Sequence, residues 1–165
     1  FERNSGSRLI PDLDFLKKLR DHWPGNLYVK GITSLEDAYH CVNSGCTGIY
    51  ISNHGGRQLE SVPATLDLLK IIRGEMGNNC QILFDSGIRT GEDIVKAYAL
   101  GADFVFLGRP FLFASALGNK EYIIHLIKLL GKQIDSTLAQ LGKTSIDSLN
   151  KKVIFGKDTY TFKDN

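Results

Sequence analysis

The sequence predicts an α/β domain built from repeated βα units, and three observations predict it. Four short apolar runs recur, at 27–32, 48–52, 81–85 and 104–108, each β-branched or aromatic and without polar alternation, as strands buried on both faces of a parallel sheet must be. The segments between them carry helix-start signals. The strand starts near 27, 48, 81 and 104 are separated by 21, 33 and 23 residues, each close to one βα unit.

The elements follow in order. After the first run, Ser34-Leu-Glu-Asp37 places a hydroxyl at an N-cap and a carboxylate three residues on, where it meets free helix amides and the positive end of the helix dipole. Leu35, Ala38 and Val42 then form an i, i+3, i+7 stripe, and Gly45 sits where a C-cap belongs. Leu66, Leu69, Ile72 and Met76 give a second helix between the second and third runs. Thr90-Gly-Glu-Asp93 repeats the start signal after the third run, and Gly101 repeats the stop. Past the fourth run, Ile124, Ile127, Leu130, Ile134, Leu138 and Leu141 predict a long closing helix over 121–141. Beyond Leu149 the period fades; Lys151-Lys152 and 158–165 read as a peripheral arm. Four such units fit either a small doubly wound sheet or the second half of an eight-unit barrel.

Composition narrows the function classes. The chain has 165 residues, 42% hydrophobic and 23% charged, with 17 glycines and 4 prolines, a globular rather than a disordered or fibrous profile. A formal charge of +2 is too balanced for the phosphate-neutralising surface that non-specific nucleic-acid binding needs, so no nucleic-acid partner is expected. No apolar run approaches the roughly 18 to 20 residues of a membrane span, and residues 1–8 lack the apolar centre of a secretory signal. The C-terminus, Phe162-Lys-Asp-Asn165, is no peroxisomal signal, so the expected location is cytoplasmic. Cys41, Cys46 and Cys80 are odd in number and lack CxxC spacing; they read as buried thiols, not as a disulfide framework or metal site. The chain starts at Phe1 rather than Met, and an amino-terminal part of a longer polypeptide is expected to precede it.

In either architecture the functional residues belong at the carboxyl ends of the strands. Lys30 ends the first run beside Gly31. The second exit, Ser52-Asn-His-Gly-Gly-Arg-Gln58, combines glycines that let a ligand approach the backbone, an imidazole that titrates near neutrality, and an arginine able to grip a carboxylate with two parallel hydrogen bonds. That is a base, His54, plus an anion clamp, Arg57. The third exit, Asp85-Ser-Gly-Ile-Arg89, and the fourth, Gly108-Arg-Pro110, each pair glycine with arginine, which suits a phosphate held on adjacent strands. His22, His40 and His125 have no such company.

Val29-Lys-Gly-Ile32, Ser52-Asn-His-Gly-Gly-Arg-Gln-Leu59, Pro63-Ala-Thr65, Phe84-Asp-Ser-Gly-Ile-Arg89 and Leu107-Gly-Arg-Pro110 together resemble the FMN-dependent L-2-hydroxy acid dehydrogenase/oxidase family, which includes lactate and glycolate oxidases. The resemblance covers about residues 12 to 149. It implies the carboxyl-terminal half, strands 5 to 8, of a (β/α)8 TIM barrel. It also implies FMN as cofactor and oxidation of a small-molecule L-2-hydroxy acid to the 2-oxo acid, in a homo-oligomer, a tetramer in many relatives.

Residue by residue, the resemblance makes Lys30 the cation near flavin N1 and O2. Ser52, Gly55, Asp85 and Ser86 become cofactor contacts, Asp85 at the ribityl chain. Gly87, Arg89, Gly108 and Arg109 become the phosphate loops. His54 matches the active-site base and Arg57 the substrate-carboxylate arginine. Ser86 stands where many relatives have Gly and Glu60 where they have Asp; Ser86 occurs in the lactate-oxidising branch and tilts the substrate toward lactate. The family's first four units, with their substrate tyrosines, second arginine and acidic partner of the base, are not in this sequence. Four strands without that half leave two edges open, so the chain alone is expected to aggregate, dimerise or be unstable. Two alternatives use the same residues less fully: a phosphate-binding barrel isomerase or lyase, which has no need of Lys30, His54 and Arg57 together, and a truncated non-catalytic half-barrel.

Overall fold

A computed structural model describes residues 12–154. Phe1 and the segment 158–165 lie outside the described residues. The elements are α1 (Leu13–His22), β1 (Tyr28–Ile32), α2 (Leu35–Asn43), β2 (Gly48–Ile51), α3 (Thr65–Met76), β3 (Gln81–Phe84), α4 (Gly91–Ala99), β4 (Phe104–Val105), α5 (Arg109–Ala116) and α6 (Lys120–Gln140). Short 3₁₀ turns at His54–Gly56, Ile146–Ser148 and Lys151–Val153 complete it. The four strands form one parallel sheet in the order β1-β2-β3-β4. A doubly wound sheet reverses its strand order at a switch point, and among the described residues there is no reversal. With right-handed crossovers this order puts the connecting helices on one face of the sheet.

Burial agrees with that placement. Ile49, Ile51, Ile82 and Phe84 are fully buried, Val105 nearly so, and they pack with Ala38, Cys41, Leu69, Ile72, Met76 and Ala97 from the helices. The alternate strand residues Lys30, Tyr50, Leu83 and Phe104 are aligned across the sheet and point to the other face, where all four are partly or fully exposed. A β-bulge keeps this parity on β1: Lys30 pairs with Tyr50, Gly31 is skipped at φ +95°, and Ile32 pairs with Ile51. Ile32 therefore returns to the core while Lys30 stays on the open face.

Local signals act as the sequence predicts at most helix ends. Ser34 Oγ accepts from the Asp37 amide at 3.0 Å. Thr90 and Asp93 form a full capping box: Thr90 Oγ1 accepts the Asp93 amide at 3.2 Å, and Asp93 Oδ2 accepts the Thr90 amide at 3.0 Å. Gly45 and Gly101, at φ +82° and +103°, donate to Val42 and Tyr98, and the next residues, Cys46 and Ala102, donate to Cys41 and Ala97. This is the paired bonding of a Schellman stop, which needs the left-handed residue that glycine supplies. Thr90→Ala should cost about 1 kcal/mol, read as a lower urea midpoint at unchanged m-value.

Three differences from the sequence reading have physical causes. Helix α1 was not predicted; it has no buried residue and is started by Asp12, whose carboxylate accepts from the Phe15 amide at 2.8 Å. Strand β4 is only Phe104–Val105, because the chain turns at Gly108 and starts α5 with Pro110 in its first turn, where a missing N–H is harmless. In α6, Ile124 and Ile127 are exposed, and the half-buried Ile123 and Leu126 lead into buried Leu130 and Leu138 instead. Glu121, His125 and Lys128, at i, i+4 and i+7, mark the polar face of the first half of that helix, and Ile123, Leu126 and Leu130 lie opposite it, where α6 packs against α4 and α5; Ile124 and Ile127 flank that face. Cys41, Cys46 and Cys80 are free and buried. Burial, then Cys46 and Asp37, push the Cys41 thiol up to about 11. Among the described residues no helix is long and apolar enough to cross a membrane.

Candidate functional site

The carboxyl ends of β1, β2 and β3 converge on a polar network. Lys30 Nζ donates to Ser52 Oγ at 2.8 Å and lies 3.3 Å from Asp85 Oδ2. Ser52 is 1% exposed, and its hydroxyl also accepts the His54 amide at 3.1 Å. This one buried oxygen thus ties the β1 lysine to the histidine turn.

The histidine turn itself is left-handed. His54, Gly55 and Gly56 have φ of +55°, +66° and +78°. For the two glycines this is free of steric cost, while for His54 it is an uncommon conformation that its surroundings must hold. They do so from both sides. Asn53 Oδ1 accepts the Gly55 amide at 3.0 Å, and Ser86 Oγ accepts the amides of Asn53 and Gly55, each at 3.2 Å. The imidazole rests against the β1 bulge; a Cβ on Gly31 would stand 3.3 Å from His54 Cε1. A side chain at position 31 would crowd the ring.

Ser86 is the second knot. It too has a positive φ, +80°, and it donates to Asp85 Oδ1 at 2.7 Å while its carbonyl accepts from buried Thr65 Oγ1 at 3.1 Å. Burial alone would raise the Asp85 carboxyl, but the hydroxyls of Ser52, Ser86 and Tyr50 and the Lys30 ammonium outweigh it and hold the group below the ordinary carboxylate range. Asp85 is therefore an anion facing a cation at neutral pH. Above it, Arg109 Nη2 donates to the Gly55 carbonyl at 2.5 Å.

The structure thus joins Lys30, Ser52, His54, Gly55, Asp85, Ser86 and Arg109 in one connected set. Arg57 stands apart: it is exposed, and its guanidinium has no hydrogen bond or ion pair among the described residues. Arg89 is exposed as well and donates to the Ile88 carbonyl at 3.2 Å. Gly87 and Gly108 face open space, with nothing within 4 Å of an added Cβ. Gly108 caps α5 without a side-chain hydrogen bond, which leaves the first-turn amides of that helix without a side-chain partner. The site is an open sheet end. A cavity of about 480 Å³ away from the site is lined by α4, α6 and Val153-Ile154, and another of about 550 Å³ lies between α1 and β1 and reaches the site at Lys30.

Two contributors were missed in the sequence. Gly31 appeared only as a neighbour of Lys30, and Tyr50 only as one apolar letter of a strand. The signal for Tyr50 was present, since period two puts it opposite Ile49 and Ile51, on the face of Lys30.

Comparison with known proteins adds the family. The sequence pattern described as FMN-dependent dehydrogenase matches residues 3–155. The chain is 40% identical over 149 residues to an FMN-dependent alpha-hydroxy acid dehydrogenase of Schizosaccharomyces pombe, covering 89% of this chain and 37% of that protein. It is 44% identical to (S)-mandelate dehydrogenase of Pseudomonas putida, covering 82% and 34%, and 39% identical to an L-lactate dehydrogenase of Vibrio cholerae, covering 88% and 39%. Among solved structures, an active mutant of (S)-mandelate dehydrogenase superposes with a TM-score of 0.80 at 43% identity, covering 85% of this chain and 39% of that one. A mutant of mandelate oxidase with (S)-mandelic acid gives 0.79 at 34% identity, covering 83% and 41%. The chain spans between a third and two fifths of the length of these curated relatives.

Proposed function

The chain belongs to the FMN-dependent dehydrogenases, and from that premise we propose that it is the carboxyl-terminal half of an eight-unit barrel that oxidises an L-2-hydroxy acid, lactate-like, to the 2-oxo acid. The observation that carries the reading is the joining of Lys30, the His54 turn and Asp85 through the two hydroxyls of Ser52 and Ser86 at one end of the sheet. FMN is the family's cofactor, and the residues present fit it. Gly87 and Gly108 leave open backbone at the third and fourth strand exits, and with the uncapped first-turn amides of α5 and the cations Arg89 and Arg109 they supply the donor types a phosphate takes. Lys30 supplies a positive charge, and Asp85 and Ser52 supply polar contacts.

Bound FMN supplies the acceptor for the two electrons that leave the substrate's α-carbon. The chain's own residues do the rest. Arg57, with no partner among the described residues, grips the substrate carboxylate with two parallel hydrogen bonds. His54 takes a proton from the substrate through its imidazole, which the left-handed turn holds at the sheet end beside Gly31. Lys30 balances the negative charge that reduction places in the site. The same reading has the complete barrel assemble as a homotetramer in the cytoplasm. Two of the similar proteins are named for lactate and mandelate, which sets the acids to try.

The test is the visible spectrum of the purified full-length protein, with oxygen excluded, before and after L-lactate, (S)-mandelate and glycolate. The expected result is a yellow protein that bleaches with L-lactate. Yellow protein that none of these acids bleaches would keep the cofactor and remove the roles of His54 and Arg57. Colourless protein that takes up no added FMN would leave the non-catalytic half-barrel in front.

A further inference from the structure

We propose that Tyr50 is a positioning residue of this site, whose hydroxyl and ring hold the Asp85 carboxylate and the Lys30 ammonium as one aligned pair. The inference rests on the reading of this sheet end as the FMN site.

Three contacts from one side chain carry it. The Tyr50 hydroxyl donates to Asp85 Oδ2 at 2.9 Å, the same oxygen that lies 3.3 Å from Lys30 Nζ. Lys30 Nζ sits 4.8 Å from the centroid of the Tyr50 ring, within cation–π range. The far side of the ring system is fixed in turn: Tyr50 and Phe106 stack at 4.9 Å and 27°, and Phe106 meets Phe104 at 4.9 Å. The ring is thus a shelf for the ammonium, and the hydroxyl aims the carboxylate at it.

The consequence extends to the histidine. With Oδ2 occupied by Tyr50 and Lys30, Oδ1 is left for Ser86, and Ser86 holds the amides of Asn53 and Gly55 on either side of His54. Tyr50 therefore stands at the root of a chain that runs Tyr50, Asp85, Ser86, His54 turn. Burial first, then the Asp85 hydrogen bond and charge, push the phenol far above its ordinary range, so it remains a donor throughout the working pH range. The charged and titratable groups facing Asp85 are Lys30 from β1 and Tyr50 from β2, with the hydroxyls of Ser52 and Ser86 beside them.

Tyr50→Phe isolates the hydroxyl, because it keeps the ring under Lys30 and against Phe106. In the full-length protein carrying ¹³C-carboxyl aspartate, with the Asp85 resonance assigned from Asp85→Asn, the Asp85 titration midpoint should rise by about one to two pH units, the worth of one hydrogen bond to a charged group. FMN affinity at neutral pH, read by quenching of FMN fluorescence, should fall roughly 3- to 10-fold. A merely structural tyrosine would not move the Asp85 midpoint. If Tyr50→Phe does not fold, the link is read from the other end: the Tyr50 phenol, followed by its ultraviolet tyrosinate band, should ionise at lower pH in Asp85→Asn than in the parent. An unmoved midpoint in either measurement overturns the contact, and a shifted midpoint with unchanged FMN affinity overturns the positioning role. If the parent protein itself binds no FMN, the reading of the sheet end fails first and this inference falls with it; the parent's binding curve separates the two failures.

Discussion

His54→Asn in the flavin-loaded protein should leave the yellow spectrum intact and slow anaerobic bleaching by the hydroxy acid about 10²- to 10⁴-fold, the usual worth of a positioned general base. Asparagine is the right probe for a reason visible in the backbone. Position 54 has φ +55°, a region asparagine enters more readily than most residues, so the turn is relieved rather than strained by the change. The amide at 54 still donates to Ser52, and the amides at 53 and 55 still donate to Ser86, so the surrounding network survives. What is lost is the imidazole alone. Stopped-flow bleaching under nitrogen reads the loss directly, and the flavin spectrum checks that the cofactor site is unchanged. A loss smaller than tenfold would remove the proton-taking role from His54, since nothing else in the variant has been disturbed.

The strand exits were the legible part of the site. Lys30, Ser52, His54, Gly55, Asp85 and Ser86 were all readable as candidates because they are polar or glycine in otherwise apolar runs, and a parallel sheet concentrates function at one end. The structure brings those six together with Arg109, itself a candidate at the fourth exit, which meets the Gly55 carbonyl. The wiring between them was not legible. That Ser86 serves as acceptor for two amides thirty-odd residues away depends on the register of β2 against β3, which no local pattern encodes. Gly31 shows the same limit. Its place beside Lys30 is plain in the sequence, but its two tasks, bulging β1 so that Ile32 returns to the core and leaving room for the His54 ring, exist only once β1 and β2 are paired. Tyr50 was hidden by chemistry rather than distance: in a run of β-branched neighbours its ring reads as packing, and only pleat parity assigns its hydroxyl to the polar face. In α6 the face was set by its polar residues, Glu121, His125 and Lys128, rather than by the isoleucines Ile124 and Ile127 that flank it; in α2 the stripe Leu35, Ala38 and Val42 does face the core, with Ala38 fully buried and the other two packed against it.

Phe84→Ala should be the most damaging single change to stability, costing about 3 to 5 kcal/mol, against a total of roughly 5 to 15 kcal/mol for a domain of ordinary stability. Phe84 is among the largest side chains with no exposed surface, and it packs on the helix side of β3 between Ile51 and Val105 in register. Removing the ring leaves a cavity that the flanking strands cannot close without breaking their pairing, so relaxation is limited. The effect should also reach the site, because Phe84 is the last residue of β3 and Asp85 follows it directly. The ring in the core fixes the rotation of β3, and that rotation aims the next carboxylate at Lys30 and Tyr50. Urea unfolding of the full-length protein reads the first effect and FMN affinity the second. Phe84→Leu, which keeps most of the volume, should cost clearly less and retain the affinity. Equal stability for the alanine and leucine variants would mean that the β3–helix layer is not closely packed at this position, and the shared origin of core and site geometry on β3 would be lost with it.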